Sequence, residues 1–410
     1  MNKNKINQKI KNLTVLVSCF LMVFFTGCKE EGRIDHVDDG APAPEQVTDV
    51  TVRNTPGGAV VKYKLPKDKN LLSVRAVYEI RPGVVREGES SYFKDSLILE
   101  GFGDTRTYDV KLYSVGKNEK LSEPYTVQVT PETAPVRVAK KELKETFSGV
   151  SISIENPHKV NLAIVLMGDT AQIGYQSILH TFYTSLEKAT FTFRGLDTIP
   201  GDYSVYLRDR WYNLSDTVEA TLKPLYEIII PWNTWQEYSL EGDAVELIGA
   251  QYFIRNIWNG DRTNIGATYY SDVLPLPQII TWDLGRTIIM SRLKVWPRNT
   301  PSDLWVRAHV RVFELYGSVD PNPDGSLDES WIPLGRFEAV KPSPGETITQ
   351  EDIDFALQGF EYDLEVNEFA PDPFVPVRYI RFRTISTFGS VAASSVCIQE
   401  INFWGKFVDE

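Results

Sequence analysis

Residues suited to catalysis are scarce in this chain of 410 residues, which has only three cysteines and four histidines. The sequence contains no H-E-x-x-H, G-x-S-x-G or P-loop motif and no Cys–His pairing. The 55 acidic residues would allow a glycosidase-like carboxylate pair in almost any arrangement, so their number identifies no site. The sequence gives no support for catalysis, and we predict that the protein is not an enzyme.

Positive charge is also in short supply. The chain has 43 lysines and arginines against 55 acidic residues, which gives a net charge of −12 at pH 7. The basic residues are not concentrated in any one segment, and a surplus of acid repels phosphate backbones. We therefore predict that nucleic acid is not a partner.

Charged residues interrupt the apolar stretches of the chain, with one exception near the amino terminus, Leu13–Phe25. This run is shorter than the about 20 residues that cross the hydrocarbon core of a bilayer. Four lysines precede it and the small residues Thr26 and Gly27 follow it, directly before Cys28. The pattern indicates a signal peptide over residues 1–27, and an uncleaved membrane anchor is the alternative.

The residues around the expected cleavage point resemble a known signal. Phe25–Cys28 resembles the lipobox of bacterial lipoproteins, although phenylalanine is unusual at its position. The resemblance implies that Cys28 is acylated and anchors the mature chain to the outer membrane. Lys29–Glu31 resembles the acidic signal that directs Bacteroidetes lipoproteins to the cell exterior, with a solvated charge run as the alternative. Polar residues 28–44 indicate a flexible tether.

Removal of the signal peptide and acylation of Cys28 would leave only Cys397, so no intrachain disulfide is expected in the mature chain. Cys397 lies between Val396 and Ile398 and is predicted to be a small buried hydrophobic residue. Core packing must then stabilise the fold.

Alternation of apolar and polar residues at a period of two dominates the chain from about residue 45. Tyr108, Val110 and Leu112, for example, alternate with charged residues, as in half-buried strands. Two segments of this kind, 45–132 and 133–227, are separated by prolines and a charged stretch. We predict an all-β fold in which each segment is an immunoglobulin-like or fibronectin type III-like β-sandwich.

Residues 228–410 differ from the rest because they contain eight of the nine tryptophans. Strands again dominate the pattern. One short helix is predicted at about 350–358, with Thr349 as its N-cap and Gly359 just beyond its end.

Four segments of this region resemble, in order, the discoidin or coagulation factor 5/8 C-type domains, which are galactose-binding-like β-sandwich jelly rolls. Asn256–Thr263 resembles their Asp-Gly-Asp loop, and Ile280–Gly285 their Asp-Leu-Gly turn. Val377–Phe382 resembles their Arg-Tyr strand, and Glu400–Gly405 their closing strand. Such domains serve mainly as carbohydrate-binding modules, so the resemblance implies a glycan-binding role.

Many discoidin-like domains hold one structural calcium ion, and the resemblance places its ligands at Asn259, Asp261, Thr263 and Glu400. Calcium takes six to eight oxygen ligands, and these residue types supply them. Asn259 departs from the family, which more often has aspartate there. A metal-free loop closed by hydrogen bonds is the alternative.

Sugar rings pack their apolar faces on aromatic side chains, while their hydroxyl groups need polar partners. In loops that jelly rolls bring to one rim, the candidate sugar-binding residues are Tyr269, Tyr270, Arg298, Trp305 and Phe388. For each of the aromatic residues, a place in the core is the alternative.

The whole pattern resembles the surface lipoproteins of Bacteroidetes polysaccharide-utilisation systems. The resemblance implies an outer-membrane lipoprotein that captures an extracellular polysaccharide or host glycan and passes it to an outer-membrane transporter. The alternatives are a protein-binding scaffold or adhesin of a surface complex, and an unrecognised glycoside hydrolase.

Overall fold

A computed structural model describes residues 37–169, 174–365, 369–370, 372 and 374–408. The predicted signal peptide, the lipidation site Cys28 and the acidic signal Lys29–Glu31 lie outside the described residues. Strands make up most of the described chain, which confirms the predicted all-β sandwich fold. The likeness of the first two sandwiches to fibronectin type III domains stays a prediction. No helix among the described residues is long and apolar enough to cross a membrane.

The described residues up to Ala134 form one compact unit of two antiparallel sheets. One sheet has the order β1-β2-β5 and the other β4-β3-β6-β7. The predicted alternation is confirmed here, because Tyr108, Val110 and Leu112 are all buried. The strands are β1 (Thr48–Thr55), β2 (Gly58–Lys64), β3 (Leu71–Arg81), β4 (Val84–Ser91), β5 (Ser96–Glu100), β6 (Tyr108–Gly116) and β7 (Tyr125–Val129).

The second compact unit begins at Pro135, and its first part is again a pair of sheets. The sheet orders are β12-β9-β8 and β11-β10-β13-β14. A four-residue helix, α1 (Pro135–Val138), precedes them. The strands are β8 (Lys140–Thr146), β9 (Gly149–Glu155), β10 (Leu162–Gly168), β11 (Ser177–Thr184), β12 (Lys188–Arg194), β13 (Gly201–Arg208) and β14 (Leu214–Leu222).

The remaining part of this unit is built around one large antiparallel sheet of order β15-β26-β19-β23-β20-β21, with β16 and β22 also paired to β19. Two small ladders, β17-β25 and β18-β24, lie beside it. The strands are β15 (Ile228–Ile229), β16 (Gln236–Glu237), β17 (Tyr269–Tyr270), β18 (Leu274–Pro275), β19 (Gln278–Trp296), β20 (Val310–Ser318), β21 (Ile332–Glu338), β22 (Phe360–Asp363), β23 (Pro376–Thr387), β24 (Ala393–Ser394), β25 (Cys397–Ile398) and β26 (Glu400–Phe407).

The longest strand, β19, contains both the predicted Asp-Leu-Gly turn, Ile280–Gly285, and the segment Arg292–Trp296. The structure joins them into one strand that changes partners along its length. Gly285 lies near the change of register at φ +74°, and a Cβ there would lie 2.2 Å from the carbonyl oxygen of Thr234. A side chain is therefore excluded at this position.

The predicted helix is confirmed as α2 (Gln350–Leu357). Thr349 caps it in a capping box, in which its hydroxyl accepts from the backbone N–H of Asp352 and the Asp352 carboxylate accepts from the backbone N–H of Thr349. Gly359 follows at φ +81°, a conformation that favours glycine. Local sequence alone therefore specifies both ends of this helix.

A buried ionic network joins the two parts of the second unit. Arg194 at the end of β12 donates to Asp363 of β22 at 2.7 Å. Glu227, whose side chain is 4% exposed, accepts from Arg292 of β19 at 2.9 Å and from Arg194 at 3.4 Å. Because ion pairs largely removed from water need such complementary partners, this network fixes how the middle sandwich meets the C-terminal one.

Candidate functional site

The short ladder β17-β25 decides which of two adjacent tyrosines faces solvent. Successive side chains of a strand point to opposite sides. Tyr269 points into the core, where it is 1% exposed and its hydroxyl donates to the carbonyl of Ala244. Tyr270 points the other way and is half-buried. Of this predicted pair, only Tyr270 presents a ring to a ligand.

Three charged residues gather beside Tyr270. The guanidinium of Arg298 lies 5.5 Å from the Tyr270 ring centroid and donates to the Asp303 carboxylate at 3.2 Å. Arg307 donates to the other oxygen of Asp303 at 3.2 Å, and its side chain is 73% exposed. Burial raises the pKa of the Tyr270 hydroxyl, so it stays protonated at neutral pH. We call Tyr270, Arg298, Asp303 and Arg307 the rim cluster.

The backbone that carries Arg307 is strained. Trp305 and Arg307 both have positive φ, at +63° and +49°, which side-chain-bearing residues rarely adopt. The backbone N–H of Trp305 donates to Nδ1 of His309 at 2.8 Å, and the N–H of Gly389 donates to the carbonyl of Arg307 at 2.9 Å. Strained conformations of this kind cluster at binding sites, where surrounding contacts hold them.

Trp305, predicted as a sugar-binding residue, is instead a core residue in the structure. It is 5% exposed, and its indole N–H donates to the carbonyl of Asp352 at 2.9 Å. Its ring packs edge-on against Phe388, with the centroids 5.2 Å apart. Phe388 itself is half-buried, so Trp305 supports this aromatic residue at the surface rather than contacting a ligand.

Three of the four predicted calcium ligands, Asn259, Asp261 and Thr263, lie together in the loop and hydrogen-bond to one another. Oδ1 of Asp261 accepts from the backbone N–H groups of Thr263 and Asn264, both at 3.0 Å, and from the hydroxyl of Thr263 at 2.9 Å. These hydrogen bonds lower the pKa of the Asp261 carboxyl. Oδ1 of Asn259 accepts from the backbone N–H of Asp261 at 2.7 Å. The side chains thus hold the loop in shape.

The side-chain amide of Gln399 lies where the loop carbonyls converge. Its Nε2 donates to the carbonyl oxygens of Asp261 at 2.8 Å, Ala267 at 3.1 Å and Asn264 at 3.2 Å. Glu400, which is fully buried, accepts from Nε of Arg262 at 2.7 Å. The side-chain amide of Gln399 and the guanidinium of Arg262 therefore contact oxygen atoms that a cation would otherwise bind.

These contacts favour a hydrogen-bonded loop over a calcium cage, but Oε2 of the buried Glu400 carboxylate has no hydrogen-bond partner among the described residues, so the calcium site stays a prediction. A metal would need the carbonyl oxygens that Gln399 occupies and the carboxylate that pairs with Arg262. Cys397 gives no metal ligand, because it is buried and burial raises its pKa to about 12.

Sequence reasoning missed Asp303, Arg307 and Gln399. Asp303 follows Pro301 in a single 3-10 turn, and Pro at the start of such a turn was a usable signal. Gln399 directly precedes Glu400 in a segment already singled out. Arg307 carried no local signal, because strained backbone and distant contacts place it.

Three protein families match the chain, and each is described as a domain of unknown function. They are DUF4959 over residues 44–131, DUF5126 over residues 132–232 and DUF5000 over residues 255–405. No curated protein matches the sequence.

Solved structures similar to this chain include a SusE-like protein, at 28% identity and a TM-score of 0.43, covering 66% of this chain and 97% of that one. The module CBM32-3 from a family 31 glycoside hydrolase of Clostridium perfringens matches at 16% identity and a TM-score of 0.32, covering 43% and 95%. The family 32 CBM from C. perfringens NanJ in complex with galactose matches at 13% identity and a TM-score of 0.29, covering 43% and 98%. Similarity at these levels assigns neither a ligand nor site residues to this chain.

Proposed function

We propose that this protein binds a glycan through the rim cluster of its C-terminal sandwich and does not cleave it. The observation that carries the proposal is the grouping of a half-exposed tyrosine with one carboxylate and two guanidinium groups. A sugar ring offers an apolar face together with hydroxyl groups that both donate and accept. Tyr270 supplies the apolar surface, Asp303 accepts, and Arg298 and Arg307 donate.

The charges of the cluster favour a neutral sugar. Asp303 accepts from Arg298 and from Arg307 at 3.2 Å each, so both guanidinium groups have a carboxylate partner, although the three side chains together carry one net positive charge. Arg298 also donates to the carbonyl of Ile265 at 3.1 Å, which ties the 261–267 loop to the cluster. The donors and the acceptor are held in place before a ligand arrives, which lowers the entropy lost on binding.

The setting of this binding role follows from the sequence. We propose that the chain is exported, acylated at Cys28 and held on the outer face of the outer membrane. The first two sandwiches, at 45–132 and 133–227, would space the 228–410 domain from the lipid surface. The captured polysaccharide or host glycan would then pass to transporter components in the same membrane.

A screen of the full chain on polysaccharide-containing native gels tests the binding role. The panel contains neutral plant and fungal polysaccharides and mucin-type host glycans. We expect retention on at least one neutral glycan and loss of that retention in Tyr270→Ala. Tyr226→Ala is the matched control, because Tyr226 is 57% exposed and lies outside the rim cluster.

Three results would contradict the proposal. Equal retention of Tyr270→Ala and Tyr226→Ala would show that the rim cluster does not bind the glycan. Release of shorter products from any retained glycan would show the hydrolase alternative. A complete lack of retention, with capture of an outer-membrane protein that survives Tyr270→Ala, would favour the scaffold alternative.

A further inference from the structure

An open cleft lies in the middle sandwich, at one end of the neighbouring strands β11, β10 and β13. Its volume is about 500 Å³, within the about 300–1,000 Å³ typical of ligand pockets. Ala163 pairs with Tyr183 on one side and with Arg208 on the other. The three side chains therefore share one face of the sheet, with the small alanine between two long residues.

This face points away from the sandwich core. Ile164 and Leu207, the next residues on β10 and β13, are fully buried and pair with each other. Tyr183 is 71% exposed. Neighbouring strands lie about 4.8 Å apart, so the backbones of Tyr183 and Arg208 lie about 10 Å apart across Ala163, which is itself buried. Tyr183 and Arg208 therefore line two sides of the cleft.

The second wall is an exposed tyrosine in a strained conformation. Tyr212 is 64% exposed and has φ +64°, a conformation that a bulky residue rarely adopts. The loop is held by Asp209, whose Oδ1 accepts from the backbone N–H groups of Trp211 at 2.8 Å and Asn213 at 2.9 Å. Such strain at a rigidly held surface aromatic is typical of functional loops.

The cleft and the rim cluster each have two arginines and one aspartate, but the aspartate pairs differently in the two places. The carboxylate of Asp209 is only 9% exposed, and its second oxygen accepts from the side-chain amide of Asn213 at 2.9 Å. The cleft also contains Arg208, 5.0 Å from the Tyr212 ring centroid, and Arg210, 4.2 Å from the Trp211 ring centroid. Stacking orients the Arg208 guanidinium, while the Asp209 carboxylate accepts from its own loop.

From this arrangement we propose that the cleft is a second glycan site, and that it takes a sugar carrying a carboxylate, a uronic acid residue. The sugar ring lies in the cleft between the exposed rings of Tyr183 and Tyr212. Its carboxylate pairs with Arg208, since guanidinium groups bind carboxylates through two parallel hydrogen bonds. The site is separate from the rim cluster and does not depend on the function proposed for it.

Calorimetric titration of the full chain with acidic trisaccharides tests this site. The probes are trimers of galacturonate, mannuronate and glucuronate, with neutral galactotriose as the comparison. We expect binding of at least one acidic trimer and a loss of at least tenfold in Tyr212→Asn. Asparagine tolerates positive φ, so this variant removes the ring and keeps the loop. Arg208→Gln should lose the preference for acid.

The controls separate this site from the rim cluster. Tyr175→Ala should bind the acidic trimer normally, because Tyr175 is 74% exposed and lies before β11, whereas Tyr183 lies near its end. Tyr270→Ala should also bind it normally. The proposal is overturned if none of the three acidic trimers binds, or if Tyr212→Asn and Tyr183→Ala bind as wild type does. Equal binding of galactotriose at this site would overturn the assignment of a uronic acid.

Discussion

The rim cluster and the middle cleft use the same residue types but differ in how their carboxylate is employed. In the rim cluster, Asp303 accepts from two arginines and shares the surface with Tyr270. In the cleft, Asp209 accepts from its own loop, and Arg208 and Arg210 stand beside two exposed tyrosines. The comparison teaches that two aromatic sites with the same charged residue types can differ in which groups their aspartate binds. We therefore expect a neutral ligand at the rim and an acidic one in the cleft.

Replacement of Asp303 by asparagine should have the largest effect on this difference. Asp303→Asn removes the counter-charge of Arg298 and Arg307 and makes the rim cluster resemble the cleft. Loss of a charged hydrogen-bonding partner costs about 1.5–3 kcal/mol, so neutral-glycan affinity should fall at least tenfold. Titration with a retained neutral oligosaccharide checks this, and Asp354→Asn in α2 is a surface control. Unchanged affinity would show that Asp303 does not contact the ligand.

Gln399→Ala should weaken the rim and leave the cleft intact. The substitution leaves the carbonyls of Asp261, Asn264 and Ala267 without their shared donor, at a cost of about 2 kcal/mol in unfolding free energy. Denaturant unfolding measures this cost. The same curves should not shift when calcium is added or chelated. A calcium-dependent gain in stability of the wild-type chain would contradict the hydrogen-bonded loop and restore the metal cage.

Acid should destabilise the fold through His309, whose Nδ1 accepts from the backbone N–H of Trp305. Burial lowers the pKa of His309 to about 3, below its usual value of about 6.5. The unfolded chain takes up a proton below about pH 6.5 while the folded imidazole stays neutral, so stability falls as pH drops. The greatest slope is about 1.4 kcal/mol per pH unit. His309→Gln should reduce the dependence of the unfolding free energy on pH, measured from denaturant unfolding between pH 7 and 5. An unaltered slope would contradict a neutral buried His309.

The smallest expected difference between the two sites is in how salt changes their affinity for a ligand. A carboxylate on Arg208 near the surface is screened by ions, whereas a neutral sugar on the rim cluster is not. Between about 0.05 and 0.5 M sodium chloride, acidic-trimer affinity should fall several-fold and neutral-glycan affinity should stay constant. Parallel titrations check this. Equal salt dependence at both sites would contradict the assignment of a neutral ligand to the rim cluster and an acidic ligand to the cleft.

Regular structure was predictable because it depends on local patterns. Alternation identified the strand with Tyr108, Val110 and Leu112, and capping residues identified α2. The partner change within β19 was not predictable, since it depends on which strands lie beside it. The domain limits 45–132, 133–227 and 228–410 stay predictions.

The candidate sites depended more on tertiary structure. Tyr270, Arg298 and Phe388 were identifiable as loop aromatic and basic residues, but burial of Tyr269 and Trp305 was decided by pairing and packing. The cleft escaped notice because strand register brings Tyr183 and Arg208 to either side of Ala163. The grouping of arginines and aromatics over residues 208–212 was the available signal.

A crystal structure of the chain with a retained neutral oligosaccharide tests the central claim most directly. The account predicts a sugar ring packed on Tyr270, with hydroxyl groups in hydrogen-bonding distance of Asp303 and Arg307. Gln399 should keep its three carbonyl partners in that structure. A bound sugar found only elsewhere on the protein, with the rim cluster unoccupied, would contradict the account.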